Sequence, residues 1–190
     1  MQVLRSKTDP RWVDVALSDF DALLVDHAHL ERKAATTALA LISRYPDHPE
    51  LVRRCAKLAQ EEMRHFQQVH ALILERGGQL GRDRGDPYAK AMMALLRADG
   101  PARRTDHLLV CGLIEARSGE RLELLAAGLR DVSLKRFYTS LATAETGHCR
   151  LFVELAQLYQ EPDVVQARLE TLACTEAEIV AELPLVPRMH

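Results

Sequence analysis

The stretches AQEEMRHFQQV (59–69) and ATAETGHCRLF (142–152) decide how this sequence is read. Each sets a glutamate three residues ahead of a histidine, Glu62 before His65 and Glu145 before His148, inside a run whose apolar residues recur at helical spacing. Side chains three apart on a helix share one face about 5–6 Å from each other, so a carboxylate and an imidazole placed this way can hold one metal ion. Two such short pairs carry little weight alone. Their surroundings add to it. Leu51, Cys55, Leu58, Glu62, His65, Val69 and Leu72 form one stripe, with Arg54, Lys57, Glu61, Arg64 and Gln68 on the opposite face. Leu134, Phe137, Leu141, Glu145, His148, Phe152 and Leu155 form a second stripe. Both pairs therefore face a core, where an ionised carboxylate is costly unless something compensates it. Gly147 stands between Glu145 and His148. A glycine inside a helix costs about 1 kcal/mol relative to alanine, so its missing side chain is expected to leave room beside His148 for a ligand or a neighbouring helix.

Two further helical runs each turn one carboxylate inward. Phe20, Leu24, His27, Glu31, Ala34, Ala38 and Leu41 share a face, as do Leu108, Cys111, Glu115, Ser118, Leu122 and Leu125. The order along the chain is Glu, Glu-x-x-His, Glu, Glu-x-x-His, and Glu62 follows Glu31 by 31 residues while Glu145 follows Glu115 by 30. This is an internal repeat written in chemistry. Four buried carboxylates cannot all stay ionised together without positive charge among them, and two divalent cations supply it. Four Glu and two His, with two of the Glu in Glu-x-x-His pairs, is the donor set of di-iron and di-manganese carboxylate bundles. Oxygen donors with one nitrogen per ion favour iron or manganese over zinc. Glu31, Glu62, His65, Glu115, Glu145 and His148 are the expected metal ligands, with Glu62 and Glu145 as bridges and Glu31 and Glu115 terminal. His27, His29, His70 and His107 read as ordinary satisfied core histidines; for His27, one turn before Glu31, the alternative is that it orients that carboxylate. Glu120 and Glu123 lie off the stripe, within reach of Arg117 or Arg121.

Helical periodicity runs through nearly the whole chain, and alternating β-branched runs are absent, so the fold class is all-α. Long helices are expected over about 18–43, 49–76, 105–127 and 133–159, with a short one opened by Asp9-Pro10. A crossover from Gly77 to Arg104 carries the short apolar run AKAMMALLR and a break at Asp99-Gly100-Pro101. One or two helices follow Glu161-Pro162, the last started by a capping box at Thr175 and Glu178. Two hairpins joined by one long crossover is the connectivity of a ferritin-like four-helix bundle. The expectation is a single domain over 1–190, with a core bundle over about 18–160 and a C-terminal helical extension over about 161–190.

Composition narrows the setting. The 190 residues carry 25 Lys and Arg against 27 Asp and Glu, a net charge of −2 that gives no global pull toward polyanions. Cys55, Cys111, Cys149 and Cys174 form no C-x-x-C pair, which excludes zinc-ribbon and rubredoxin-type sites and favours reduced thiols. No apolar run is long enough to span a membrane, and MQVLRSKTDPRW lacks the apolar centre of a signal peptide. A soluble cytoplasmic protein is the expectation.

The segments VDHAHLERKAATTAL (25–39), EEMRHFQQVHALILERGG (61–78), LLVCGLIEARSGERLELLA (108–126) and FYTSLATAETGHCRLFVELA (137–156) resemble those of the bacterial tRNA 2-methylthio-N6-isopentenyladenosine hydroxylases, the MiaE family. The resemblance covers all six expected ligands. It implies an O2-dependent di-iron monooxygenase, with two Fe ions per chain and O2 as co-substrate. The reaction would place a hydroxyl on the isopentenyl side chain of the modified adenosine beside the anticodon. No flavin, haem or four-cysteine cluster motif accompanies the site, so electrons must come from an external reductase or ferredoxin. Arg82, Arg84, Arg103 and Arg104 in the crossover are expected to contact tRNA phosphates. The same ligands would also serve a ferritin-like iron oxidase or storage subunit, a rubrerythrin-type peroxidase or a manganese catalase. A monomer or dimer is expected rather than a ferritin shell. Outside enzymology, the remaining reading is a helical interaction module whose inward Glu and His bond to each other.

Overall fold

The computed structural model describes residues 3–190. Met1 and Gln2, the start of the N-terminal stretch read above, lie outside the described residues. Seven α-helices and no strand occur among the described residues. The chain forms two compact units, one of residues 15–85 with 187–189, the other of residues up to 14, 86–186 and His190. A short helix α1 (Arg11–Ser18) precedes the long ones, as its Asp9-Pro10 start predicts.

In the first unit, α2 (Phe20–Arg44) and α3 (Pro49–Glu75) pair as a hairpin. Asp19 caps α2 by accepting the Ala22 N–H at 3.0 Å, and Pro49 opens α3, where its missing N–H is no loss. Gly77, at φ 75°, ends the helix in the left-handed region that a residue with a Cβ rarely adopts. The Gly78 N–H then returns to the Ile73 carbonyl at 2.9 Å. The buried stripes follow the periodicity, with Ala35 and Ile73 taking the buried places expected for Ala34 and Leu72. Residues 187–189 pin back onto this hairpin. The Met189 N–H donates to Asp26 Oδ2 at 2.9 Å, and Arg188 donates to the Gly85 carbonyl at 3.0 Å.

In the second unit, α5 (Gly100–Gly128) and α6 (Val132–Gln157) make the matching hairpin, with α4 (Pro87–Met93) and α7 (Pro162–Glu182) beside them. Two expectations change here. Gly100-Pro101 does not separate the crossover from its helix; it forms the first turn of α5, proline being well suited to that position. Thr175 starts no second C-terminal helix, because α7 runs through it and its hydroxyl donates to the Thr171 carbonyl one turn back at 3.3 Å. On α6 the buried aromatic is Tyr138, and Phe137 is half-buried. Gly119 lets α5 and α6 approach closely: a Cβ there would lie 3.2 Å from the Glu145 Cβ. Gly147 has no such role, since it is exposed and a Cβ would meet nothing within 4 Å.

The second unit also buries a charged lattice. The Arg117 guanidinium, 0% exposed, forks onto both oxygens of the equally buried Glu176 at 2.8 and 2.9 Å and bonds Glu120 through another nitrogen. Glu120 in turn accepts the Thr8 N–H at 3.0 Å and its hydroxyl at 2.8 Å. Asp106 is clamped likewise by Arg97 and Arg168. These ties join the segment after α4, helix α7 and the N-terminal segment to α5.

Candidate metal centre

Each hairpin carries one triad of donors. In the α2–α3 hairpin, Glu31, Glu62 and His65 are all buried, Glu62 completely, and each offers a ligand atom within 4.8 Å of the others. His65 Nδ1 lies 3.5 Å from an oxygen of Glu31 and 3.5 Å from one of Glu62. In the α5–α6 hairpin, Glu115, Glu145 and His148 are buried and similarly close, with His148 Nδ1 3.4 Å from Glu145 Oε2. Strong charge-assisted hydrogen bonds are shorter, about 2.7–2.9 Å. Donors that share one ion at about 2.1 Å each stand roughly 3–4 Å apart, and these spacings match that arrangement. The repeat found in the sequence is thus a repeat of geometry. Its donor set, carboxylate oxygens with one imidazole per triad, fits iron or manganese.

The α2–α3 triad has a further member. His27 Nε2 lies 2.7 Å from Glu31 Oε1, both groups buried one turn apart on α2, which is the orienting contact named above as the alternative reading of His27. Burial alone would lower the His65 imidazole, but the Glu31 and Glu62 carboxylates beside it raise it to about 10. The metal-free triad therefore holds a proton at neutral pH, and an incoming cation has to displace it. Cysteine takes no part: burial pushes the Cys55 and Cys149 thiols up to about 11, so neither is a thiolate at neutral pH.

The other named residues divide. His29 is buried with no hydrogen-bond partner at either ring nitrogen among the described residues, so it is not the satisfied core histidine expected. His70 is half-buried and stacks on Phe66 at 5.7 Å. Arg82 and Arg84 are exposed on the segment after α3, flanking Asp83, which Arg32 and Lys33 hold at 3.1 and 2.9 Å. Arg103 donates to the Arg97 carbonyl at 2.9 Å, and Arg104 lies over the Tyr159 ring at 4.6 Å, so both have structural work inside their own unit. No helix among the described residues is long and apolar enough to cross a membrane.

An all-helical chain with two repeated carboxylate–histidine triads falls in the class of ferritin-like oxygenases. A solved structure, "Protein 43 with aldehyde deformylating oxygenase activity" from Synechococcus, superposes with a TM-score of 0.93 at 38% identity, covering 100% of this chain and 96% of that one. The sequence belongs to the MiaE family, described as tRNA-(MS[2]IO[6]A)-hydroxylase, whose match spans residues 1–190. A relative from Pseudomonas putida, named tRNA 2-(methylsulfanyl)-N(6)-isopentenyladenosine(37) hydroxylase, is 36% identical over 183 residues, 96% of this chain and 89% of that protein. A protein of the same name from Salmonella typhimurium is 28% identical, over 100% of this chain and 88% of that one.

Proposed function

We propose that this chain is a di-iron monooxygenase that hydroxylates the isopentenyl side chain of 2-methylthio-N6-isopentenyladenosine in tRNA. The observation that carries the proposal is the pair of buried Glu, Glu, His triads in a chain that belongs to the hydroxylase family throughout its length. Glu31, Glu62, His65, Glu115, Glu145 and His148 are the residues that would serve as ligands to two iron ions per chain. When bound, the metals supply activation of O2 with electrons from an external reductase or ferredoxin.

The protein's own contribution is positional. His27 fixes one oxygen of Glu31, leaving the other directed to His65. Leu24, Ala28 and Leu58 in the first unit, and Leu108, Leu141 and Phe152 in the second, are buried on the same helices as the triads and supply apolar surface there. Arg82 and Arg84 are the exposed pair we assign to tRNA phosphates. Replacing both with alanine should weaken tRNA binding and flatten its dependence on salt.

The decisive assay gives iron-loaded protein reductant, O2 and tRNA that lacks the hydroxyl, followed by nucleoside analysis. A modified nucleoside heavier by one oxygen is the expected product. A second reading follows from the Synechococcus protein, whose described activity is on an aldehyde. The same mixture with an aldehyde in place of tRNA separates the two: turnover of aldehyde with untouched tRNA would favour the second reading and reject the first.

A further inference from the structure

Asp86, Ser118 and His190 are far apart in sequence, yet their side chains form one hydrogen-bonded chain within the second unit. Ser118 Oγ lies 3.0 Å from His190 Nε2, and Asp86 Oδ2 lies 3.1 Å from His190 Nδ1. The imidazole and carboxylate are 3% and 6% exposed. Asp86 is held from its other side, where Oδ1 accepts the Ala89 N–H at 3.0 Å. The Tyr88 ring packs on the imidazole with centroids 4.6 Å apart, and the Tyr88 hydroxyl donates to Glu176, which Arg117 grips. The imidazole is thus fixed in place by Ser118, Asp86 and Tyr88 together.

A hydroxyl, an imidazole and a carboxylate in this order suggest an activated nucleophile. Hydrolysis does not fit the backbone, however, because Ser118 sits in the middle of α5, where the N–H groups around it are spent on the helix and leave no oxyanion donors. What Ser118 does have is its location. It follows Glu115 by three residues on α5, one turn along the same stripe.

Resting on the hydroxylase reading, we infer that Asp86, His190 and Ser118 form a proton relay serving the metal centre from the Glu115 side. Hydroxylation balances as C–H + O2 + 2 e− + 2 H+ → C–OH + H2O, with both electrons from an external electron-transfer protein. The relay supplies one of the two protons. The imidazolium passes its Nε2 proton to Ser118 Oγ as Ser118 releases its own proton into the site. Asp86 accepts the Nδ1–H throughout and balances the cationic ring, and solvent restores the Nε2 proton between turnovers. Tyr88 does not compete, because burial and then the charge of Glu176 hold its phenol well above the usual range.

A latch that merely fastens His190 to α5 would need these hydrogen bonds but no mobile proton, and the test separates the two. The rate to follow is O2 consumption by chemically reduced, iron-loaded protein without tRNA, which takes up two protons as O2 + 2 e− + 2 H+ → H2O2. His190→Gln should keep iron loading and Tm yet slow this rate about 100-fold. Added imidazole should restore His190→Ala in proportion to its protonated form. In metal-free protein, nitrogen NMR should place the neutral ring's proton on Nδ1, with Asp86→Asn removing that preference. O2 uptake by His190→Gln at the wild-type rate overturns the relay, even where tRNA is hydroxylated normally. Uptake that depends on His190 in a protein that leaves tRNA unmodified supports the relay and rejects the substrate reading.

Discussion

The two hairpins carry the same chemistry and are held together differently. In the α2–α3 hairpin the triad is steadied from within, by His27 one turn from Glu31 on the same helix. In the α5–α6 hairpin Gly119 brings the helices close at Glu145, and the support comes from outside the pair, through Arg117 to Glu176 on α7 and through Ser118 to His190. The ligands repeat at nearly equal spacing, whereas the groups that position them do not. Ligand chemistry constrains only a few positions per hairpin. Positioning has several solutions, and each half has used the segments that lie beside it.

If the halves are equal in chemistry, Glu62→Ala and Glu145→Ala should each abolish turnover and leave well under the about two iron ions per chain expected of the intact site; iron analysis of the purified variants checks this. A variant that retained full iron in one half would show that the triads are not equivalent. The external support of the second half predicts that Arg117→Ala costs about 3–5 kcal/mol, because it leaves Glu176 buried without its cation. Thermal unfolding reads this loss, and a change under 1 kcal/mol would mean that α7 holds by other contacts. The internal support of the first half predicts that His27→Ala lowers metal affinity about 10- to 100-fold with little change in Tm, measured by competition with a chelator. The smallest effects test the close approach of α5 and α6. Gly119→Ala should cost about 1–3 kcal/mol by overpacking against Glu145, whereas Gly147→Ala, on the open side of α6, should gain up to about 1 kcal/mol from better helix propensity.

The burial of the six candidate ligands was legible in the sequence because helical periodicity converts spacing into shared direction. Glu31, Glu62, His65, Glu115, Glu145 and His148 all appear on inward stripes, and all six are buried. Gly147 was misread for an instructive reason. A glycine beside a ligand says that a side chain is missing, but which face it opens depends on its angle around the helix, and Gly119, four residues beyond Glu115, is the one at the close contact. The support of the second half left no periodic trace. Arg117 meets Glu176 across 59 residues, and Ser118 meets His190 across 72. Ser118 already stood on the inward stripe, which was the only local signal for the relay. The C-terminal helix was misjudged because Thr175 and Glu178 have capping-box spacing, yet the helix is already under way where they occur.

The central claim is the proposal that Glu31, Glu62, His65, Glu115, Glu145 and His148 are the ligands of two iron ions per chain. Mössbauer spectroscopy of protein reconstituted with isotopically enriched iron, alongside an iron count, tests it most directly. About two iron ions per chain, magnetically coupled and EPR-silent when oxidised, are the expected result. A single uncoupled high-spin ferric ion per chain, or folded protein that takes up no iron, would contradict it.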